Sequence, residues 1–257
     1  MKLLVLQIEN RKDDFLFSLI QRNKDVATKY GFEHVFLSHG DETIPHYWQK
    51  VFALDQLMHE RKDIDLFMWL DSDAFIIQWS KKNVFHLVSN DSQNVMWISP
   101  DAPKYYASFC AGAFLVRNNS QGRDIIGRWK SLYQPKMWTK HDNGSWISNG
   151  EFAGPYYEQG AFIEHILPHA NELGINVLPY YVFNEINCDS PNPASITVHL
   201  AGNYKDQEKK DECTHTIKTV EPFAEQQIMM TFGVWCALVI LILMIVCLNM
   251  LRTRYSS

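Results

Sequence analysis

Residues 67–75 read FMWLDSDAF, an apolar run that ends in two carboxylates, Asp71 and Asp73, one residue apart. Carboxylates at the edge of a core are costly to desolvate, so they need a partner. On an extended turn, residues i and i+2 aim at one point. Two hard oxygen donors there suit Mn2+ or Mg2+ bridging a diphosphate. The plainer alternative is that Asp73 caps a helix while Asp71 faces water. A later segment, VHLAGNYK (198–205), holds His199, a candidate third ligand or a structural histidine. Gly202 then turns the chain, and Lys205 offers an ammonium to a phosphate. Glu158 and Gln159 open an apolar helix, where free backbone N–H groups favour anionic or polar ligands, or where Glu158 is a simple cap. Small residues at 111–113 (Ala-Gly-Ala) let the backbone pass close to something, either a ligand or a packed strand.

The elements that must position these groups follow from periodicity. KLLVLQI (2–8) reads as a strand. A helix from about Phe15 to Tyr30 follows, stopped by Gly31, and then a second strand, HVFLS. Residues 47–60 carry Val51, Leu54, Leu57 and Met58 on one helical face. The strand DLFMWL then runs into Asp71, apolar throughout and so expected to be buried on both faces. Strand–helix–strand–helix–strand predicts an α/β fold with a parallel sheet, whose ligands sit at the carboxyl ends of the strands. Later strands are expected at 94–99, 112–117, 176–181 and 196–201, and helices at 121–133 and 158–167. Residues 134–157 read as a long functional loop. Its Trp138, Trp146, Tyr156 and Tyr157 suit either a sugar-stacking platform or packing.

The chain has 257 residues and a formal net charge of -5, with no basic stripe, which argues against a nucleic-acid partner. Of five cysteines, Cys236 and Cys247 fall in a long apolar segment. The remaining three (Cys110, Cys188 and Cys213) form neither a zinc pattern nor a disulfide framework, and fit a reducing compartment best, with a single disulfide as the alternative. Residues 228–251 contain no charged residue and are long enough to cross a bilayer as a helix, with Arg252 and Arg254 just beyond. The segments expected are a catalytic domain over 1–207, a polar linker over 208–227, a transmembrane helix over 228–251 and a short basic tail over 252–257. No N-terminal signal pattern is visible, so the domain is expected on the cytosolic side of a membrane. The positive-inside rule favours the opposite side, an ER or Golgi lumen.

With these residues placed, the chain resembles the GT-A-fold glycosyltransferases that group yeast α-galactosyl- and α-mannosyltransferases with plant xyloglucan xylosyltransferases. The matching pieces are NKDVATKYGFEHVF, WQKVFAL, FMWLDSDAFI, GAFLVRNNSQGRDIIGRWKSLY, EQGAFIEHIL and HLAGNYK, in family order over about residues 23–205. The resemblance implies a metal-dependent, retaining transfer of a hexose or pentose from a nucleotide sugar to a glycan or glycoconjugate. It implies Asp71, Asp73 and His199 as metal ligands and Lys205 as the basic residue at the diphosphate. Glu158 and Gln159 would lie at the reacting sugar carbon. Ser72 is then a spacer or a ribose contact. Gln159 would stabilise a cationic sugar during same-face attack, and Glu158 is the candidate for a covalent step. An inverting route would need a general base, for which Asp142 is the candidate. The acidic-acidic-Gln pattern of the family is Tyr157-Glu158-Gln159 here. The rival readings are a catalytically inactive module tethering a partner at a membrane, and a different metal enzyme on the same sheet.

Overall fold

The computed structural model describes residues 1–77, 84 and 87–219. The chain divides into a compact unit, Met1–Thr216, and a stretch from Ile217, of which only the first three residues are described. The apolar segment 228–251 and its basic tail lie outside the described residues, within which no helix is long and apolar enough to cross a membrane.

The first half follows the expected alternation. Strand β1 (Leu3–Ile8) leads into helix α1 (Asp14–Tyr30), which is capped by the Asp13 carboxylate at its start and by Gly31, at φ 72°, at its end. Strand β2 (Glu33–Leu37), helix α2 (His46–Glu60) and strand β3 (Leu66–Leu70) follow. All five residues of β3 are buried, as an apolar run without alternation demands. Phe67 and Trp69 join the core beneath α2, whereas Leu66, Met68 and Leu70 join a second core on the opposite face. Burying each such side chain contributes about 1.5–3 kcal/mol.

Beyond β3 lie β4 (Ala74–Ile76), β5 (Met96–Ile98), β6 (Ala113–Arg117), helix α3 (Ser120–Ser131), β7 (Trp138–Lys140), β8 (Trp146–Ser148), helix α4 (Glu158–His165), β9 (Ile175–Val177) and β10 (Thr197–His199). The main sheet has the order β2-β1-β3-β6-β5-β9. It is mixed rather than parallel, because β6 runs antiparallel to both β3 and β5. The expected strand over 176–181 stops at Val177, and Tyr180–Asn184 form a short helix instead, entered through Pro179. The long loop contains the β7–β8 hairpin. The expected polar linker from 208 begins instead as a helix, Gln207–Thr219. A disulfide between Cys188 and Cys213 ties that helix to the domain, which is the single-disulfide alternative rather than the three free thiols of a reducing compartment; Cys110 stays free and buried.

One small pairing positions the site. After the turn at Asp71-Ser72-Asp73 the chain continues as β4, and β10 pairs with it antiparallel, His199 opposite Ala74. Leu200 N donates to Asp73 O at 3.0 Å. Two segments more than 120 residues apart are thereby locked in register.

Candidate active site

Asp71, Asp73 and His199 converge. One ligand atom from each lies within 4.8 Å of the others. Two carboxylates and an imidazole form a donor set that fits Mn2+ well and Mg2+ acceptably. Asp71 is fixed from both sides: its N–H donates to Gly112 O at 2.7 Å, and its carbonyl accepts from the Gln7 side chain at 3.2 Å. Its Oδ1 accepts from Trp69 Nε1 at 2.8 Å. Asp73 Oδ2 accepts the Gly202 N–H at 2.9 Å, and its Oδ1 lies 3.4 Å from His199 Nε2. Burial alone would raise the Asp73 pKa, but His199, the Gly202 N–H and the Arg11 charge outweigh it and hold the value at about 2. Asp73 is therefore an anion ready for a cation.

His199 is buried and oriented from behind. Its Nδ1 faces Asn184 Oδ1 at 3.3 Å and Cys110 Sγ at 3.4 Å. The Asn184 amide is fixed by donating to Pro100 O at 3.0 Å, so its oxygen points at the ring. Nδ1 therefore faces the protein, and Nε2 points towards Asp73, where it could serve as a ligand atom once it carries no proton. Burial disfavours a charged ring, but Cys110 and Asp73 oppose it and raise the pKa well above the ordinary histidine value. The small residues at 111–113 make room for this imidazole. A Cβ on Gly112 would lie 2.1 Å from His199 Cε1.

Sequence reasoning missed Lys50. It is 5% exposed on α2, and its ammonium lies 2.9 Å from Asp71 Oδ1, 3.1 Å from Glu158 Oε1 and 3.1 Å from Ala111 O. Burial works against the charge, but Asp71 and Glu158 outweigh it and raise the Lys50 pKa. Burial is also the largest influence on Glu158, pushing its carboxyl up against the pull of Lys50. The signal was present: Lys50 shares the helical face of Leu54 and Met58, which points inward.

Of the other expected residues, Gln159 opens α4 with its amide oxygen accepting the Ala111 N–H at 2.9 Å. One lone pair of that oxygen remains for a ligand. Lys205 is exposed on a short turn directly after the buried Tyr204. Asp142 is exposed in the tip of the β7–β8 hairpin. Ser72 is buried, and its hydroxyl donates to Glu9 and accepts from Arg11 at 3.0 Å. These contacts hold the hydroxyl within the protein and leave one of its lone pairs over. Arg11 also donates to the Tyr204 hydroxyl and lies over its ring, 4.9 Å from Cζ to the centroid. Glu9, Arg11, Ser72 and Tyr204 thus fasten the end of β1 to the Asp71–Asp73 turn and to the turn bearing Lys205.

This geometry agrees with what the sequence matches. Residues 3–107 match the model of the galactosyl transferase GMA12/MNN10 family. The chain is 24% identical over 153 residues to a protein of Arabidopsis thaliana called probable xyloglucan 6-xylosyltransferase 3, covering 57% of this chain and 32% of that one. It is 22% identical over 244 residues to an alpha-1,2-galactosyltransferase of Schizosaccharomyces pombe, covering 79% and 62%. The chain therefore spans about a third to under two thirds of the length of these relatives. A crystal structure of a glycosyltransferase involved in the glycosylation of the major capsid of PBCV-1 superposes with a TM-score of 0.59 at 15% identity, covering 84% of this chain and 98% of that one. The fold is the GT-A-like α/β fold of glycosyltransferases.

Proposed function

We propose that the protein is a metal-dependent glycosyltransferase that moves a hexose or pentose from a nucleotide sugar, UDP-linked, to a glycan or glycoconjugate, with retention at the anomeric carbon. The observation that carries this reading is the convergence of Asp71, Asp73 and His199 beside the buried Lys50–Glu158 pair. The galactosyl and xylosyl activities named for the relatives support the hexose-or-pentose range.

A Mn2+ or Mg2+ held by Asp71, Asp73 and His199 would neutralise the diphosphate leaving group as its charge develops. Lys205 supplies a second positive charge from the turn after β10. Lys50 holds Asp71 and Glu158 together, so both carboxylates keep fixed places beside the donor sugar. Gln159 presents its remaining lone pair to the cationic sugar, which supports same-face attack. Glu158 is less suited to a covalent step, because Lys50 engages its buried carboxyl.

For location, we take the segment 228–251 as a membrane anchor. The Cys188–Cys213 disulfide supports an oxidising lumen rather than the cytosol for the catalytic domain, and Arg252 and Arg254 on the cytosolic side agree with it. Protease protection of tagged protein in microsomes tests the side.

The activity is tested by incubating the purified chain with Mn2+ and a panel of UDP- and GDP-sugars. Metal-dependent hydrolysis or transfer, abolished by EDTA, is expected. No hydrolysis, no transfer and no metal-dependent nucleotide binding would overturn the reading.

A further inference from the structure

Four rings gather beside the reactive end of the site. Tyr47 lies 4.9 Å from Tyr157, 5.9 Å from Phe152 and 6.1 Å from Trp138, centroid to centroid. Tyr157 in turn lies 4.9 Å from Trp138 and 5.3 Å from Phe152. Trp138 is buried at the base, Tyr47 and Tyr157 are half-buried, and Phe152 is 75% exposed at the rim.

Three features place this cluster at the chemistry. Tyr47 precedes Lys50 by about one turn of α2, and Tyr157 directly precedes Glu158. The loop bearing Phe152 is seated on the first turn of α4: a Cβ on Gly160 would meet Gly154 O at 2.1 Å and Ala153 O at 2.4 Å. Ala153 itself holds a left-handed backbone, φ 57°, which costs a non-glycine residue about 1 kcal/mol. Chain strain is thus spent beside a phenyl ring that faces water.

Two further features indicate what the cluster takes. The four side chains carry no formal charge, so they suit a neutral, ring-shaped ligand. Phe152 is the ring open to a ligand, and the buried Trp138 backs Tyr47 and Tyr157 from behind. An uncharged aromatic surface with an open ring at its rim matches a pyranose, which has C–H groups on its faces. Building on the transferase reading, we infer that Tyr47, Trp138, Phe152 and Tyr157 form the acceptor subsite and bind an uncharged pyranose of the acceptor glycan.

The test uses the full chain in detergent with cellopentaose, maltopentaose and α1,6-mannopentaose as probes. Saturation-transfer NMR on the unmodified protein is expected to label ring protons of at least one probe. Phe152→Ala should abolish that signal, and Phe152→Trp should retain it. Where a probe is also an acceptor, Phe152→Ala should raise its KM about tenfold, the size of one lost ring contact with its buried area. Absence of saturation transfer with all three probes overturns the inference, as does binding unaffected by Phe152→Ala. Binding that Phe152→Ala abolishes, in a protein that transfers no sugar, sinks the enzyme reading and leaves the subsite standing. If brominated phosphatidylcholine vesicles quench Phe152→Trp beyond the parent protein and no probe binds, the rings meet lipid and the inference falls.

Discussion

His199 occupies the space that a side chain at Gly112 would fill; a Cβ there would stand 2.1 Å from the imidazole Cε1 and 2.5 Å from Nδ1. The glycine is thus part of the candidate metal site, although it offers no ligand atom. Gly112→Ala should push the ring off its line between Asn184 and Asp73. Affinity for Mn2+ is expected to fall about ten- to a hundredfold, as when the support behind a ligating histidine is removed. Titration of Mn2+ by electron paramagnetic resonance measures this directly. Unchanged affinity in a folded Gly112→Ala variant would remove His199 from the ligand set.

Lys50 is the counter-charge for two carboxylates at once. Lys50→Met would leave Glu158, 4% exposed, buried without it. An uncompensated buried charge costs about 3–5 kcal/mol, and the cost is limited here because Glu158 can take up a proton. Chemical denaturation should therefore report a loss of about 2–3 kcal/mol near neutral pH, shrinking as the pH falls and Glu158 protonates. The double variant Lys50→Met, Glu158→Leu should recover most of it. A single variant as stable as the parent would contradict the pairing.

The parts of the site that were legible in the sequence share a local signature. Asp71 and Asp73 end an apolar run, and that contrast survives without any knowledge of the fold. The buried strand Leu66–Leu70 and the helices over 14–30 and 46–60 declare themselves by period and caps. Strand direction is not encoded locally, so the reversal of Ala113–Arg117 within the sheet could not be read. The inward helical face of Lys50 was readable, but its ion pairs were not, because its partners stand 21 and 108 positions away. Three cysteines admit three pairings, so an odd count hid the Cys188–Cys213 bond. The hairpin over 138–148 has strands of three residues, too short for alternation to register, although Asn143-Gly144 at its tip is a turn signal. The helix Gln207–Thr219 is highly polar and reads as linker by composition.

His34 gives the stability a pH dependence with a definite sign. Burial, aided by the Lys24 charge, lowers its pKa to about 4, and its Nε2 meets Gln7 Oε1 at 3.0 Å. A free histidine titrates near pH 6.5. Between these two values the unfolded chain binds the proton more tightly, so the His34 contribution is complete above about pH 6.5 and is lost as the pH falls towards 4. Gln7 also donates to Asp71 O at 3.2 Å, which connects His34 to the Asp71–Asp73 turn through one side chain. The melting temperature should fall with acid across that window, less steeply in His34→Gln. An equal slope in parent and variant would assign the acid sensitivity elsewhere.

The disulfide closes 25 residues of sequence, from the segment after Asn184 to the helix after Lys205. Asn184 orients His199, and Lys205 is the candidate diphosphate contact, so the bond braces two sides of the site. Glu212 adds to it by accepting the Cys188 N–H at 3.0 Å. Loop-closure entropy for that length is worth about 3 kcal/mol. Reduction, or the double variant Cys188→Ser, Cys213→Ser, should therefore lower the melting temperature by several degrees. It should also raise amide exchange over 207–214 before exchange in the main sheet. If reductant leaves both measurements unchanged in the parent protein, the bond does not form in solution. A lumenal domain would then be supported by Arg252 and Arg254 alone.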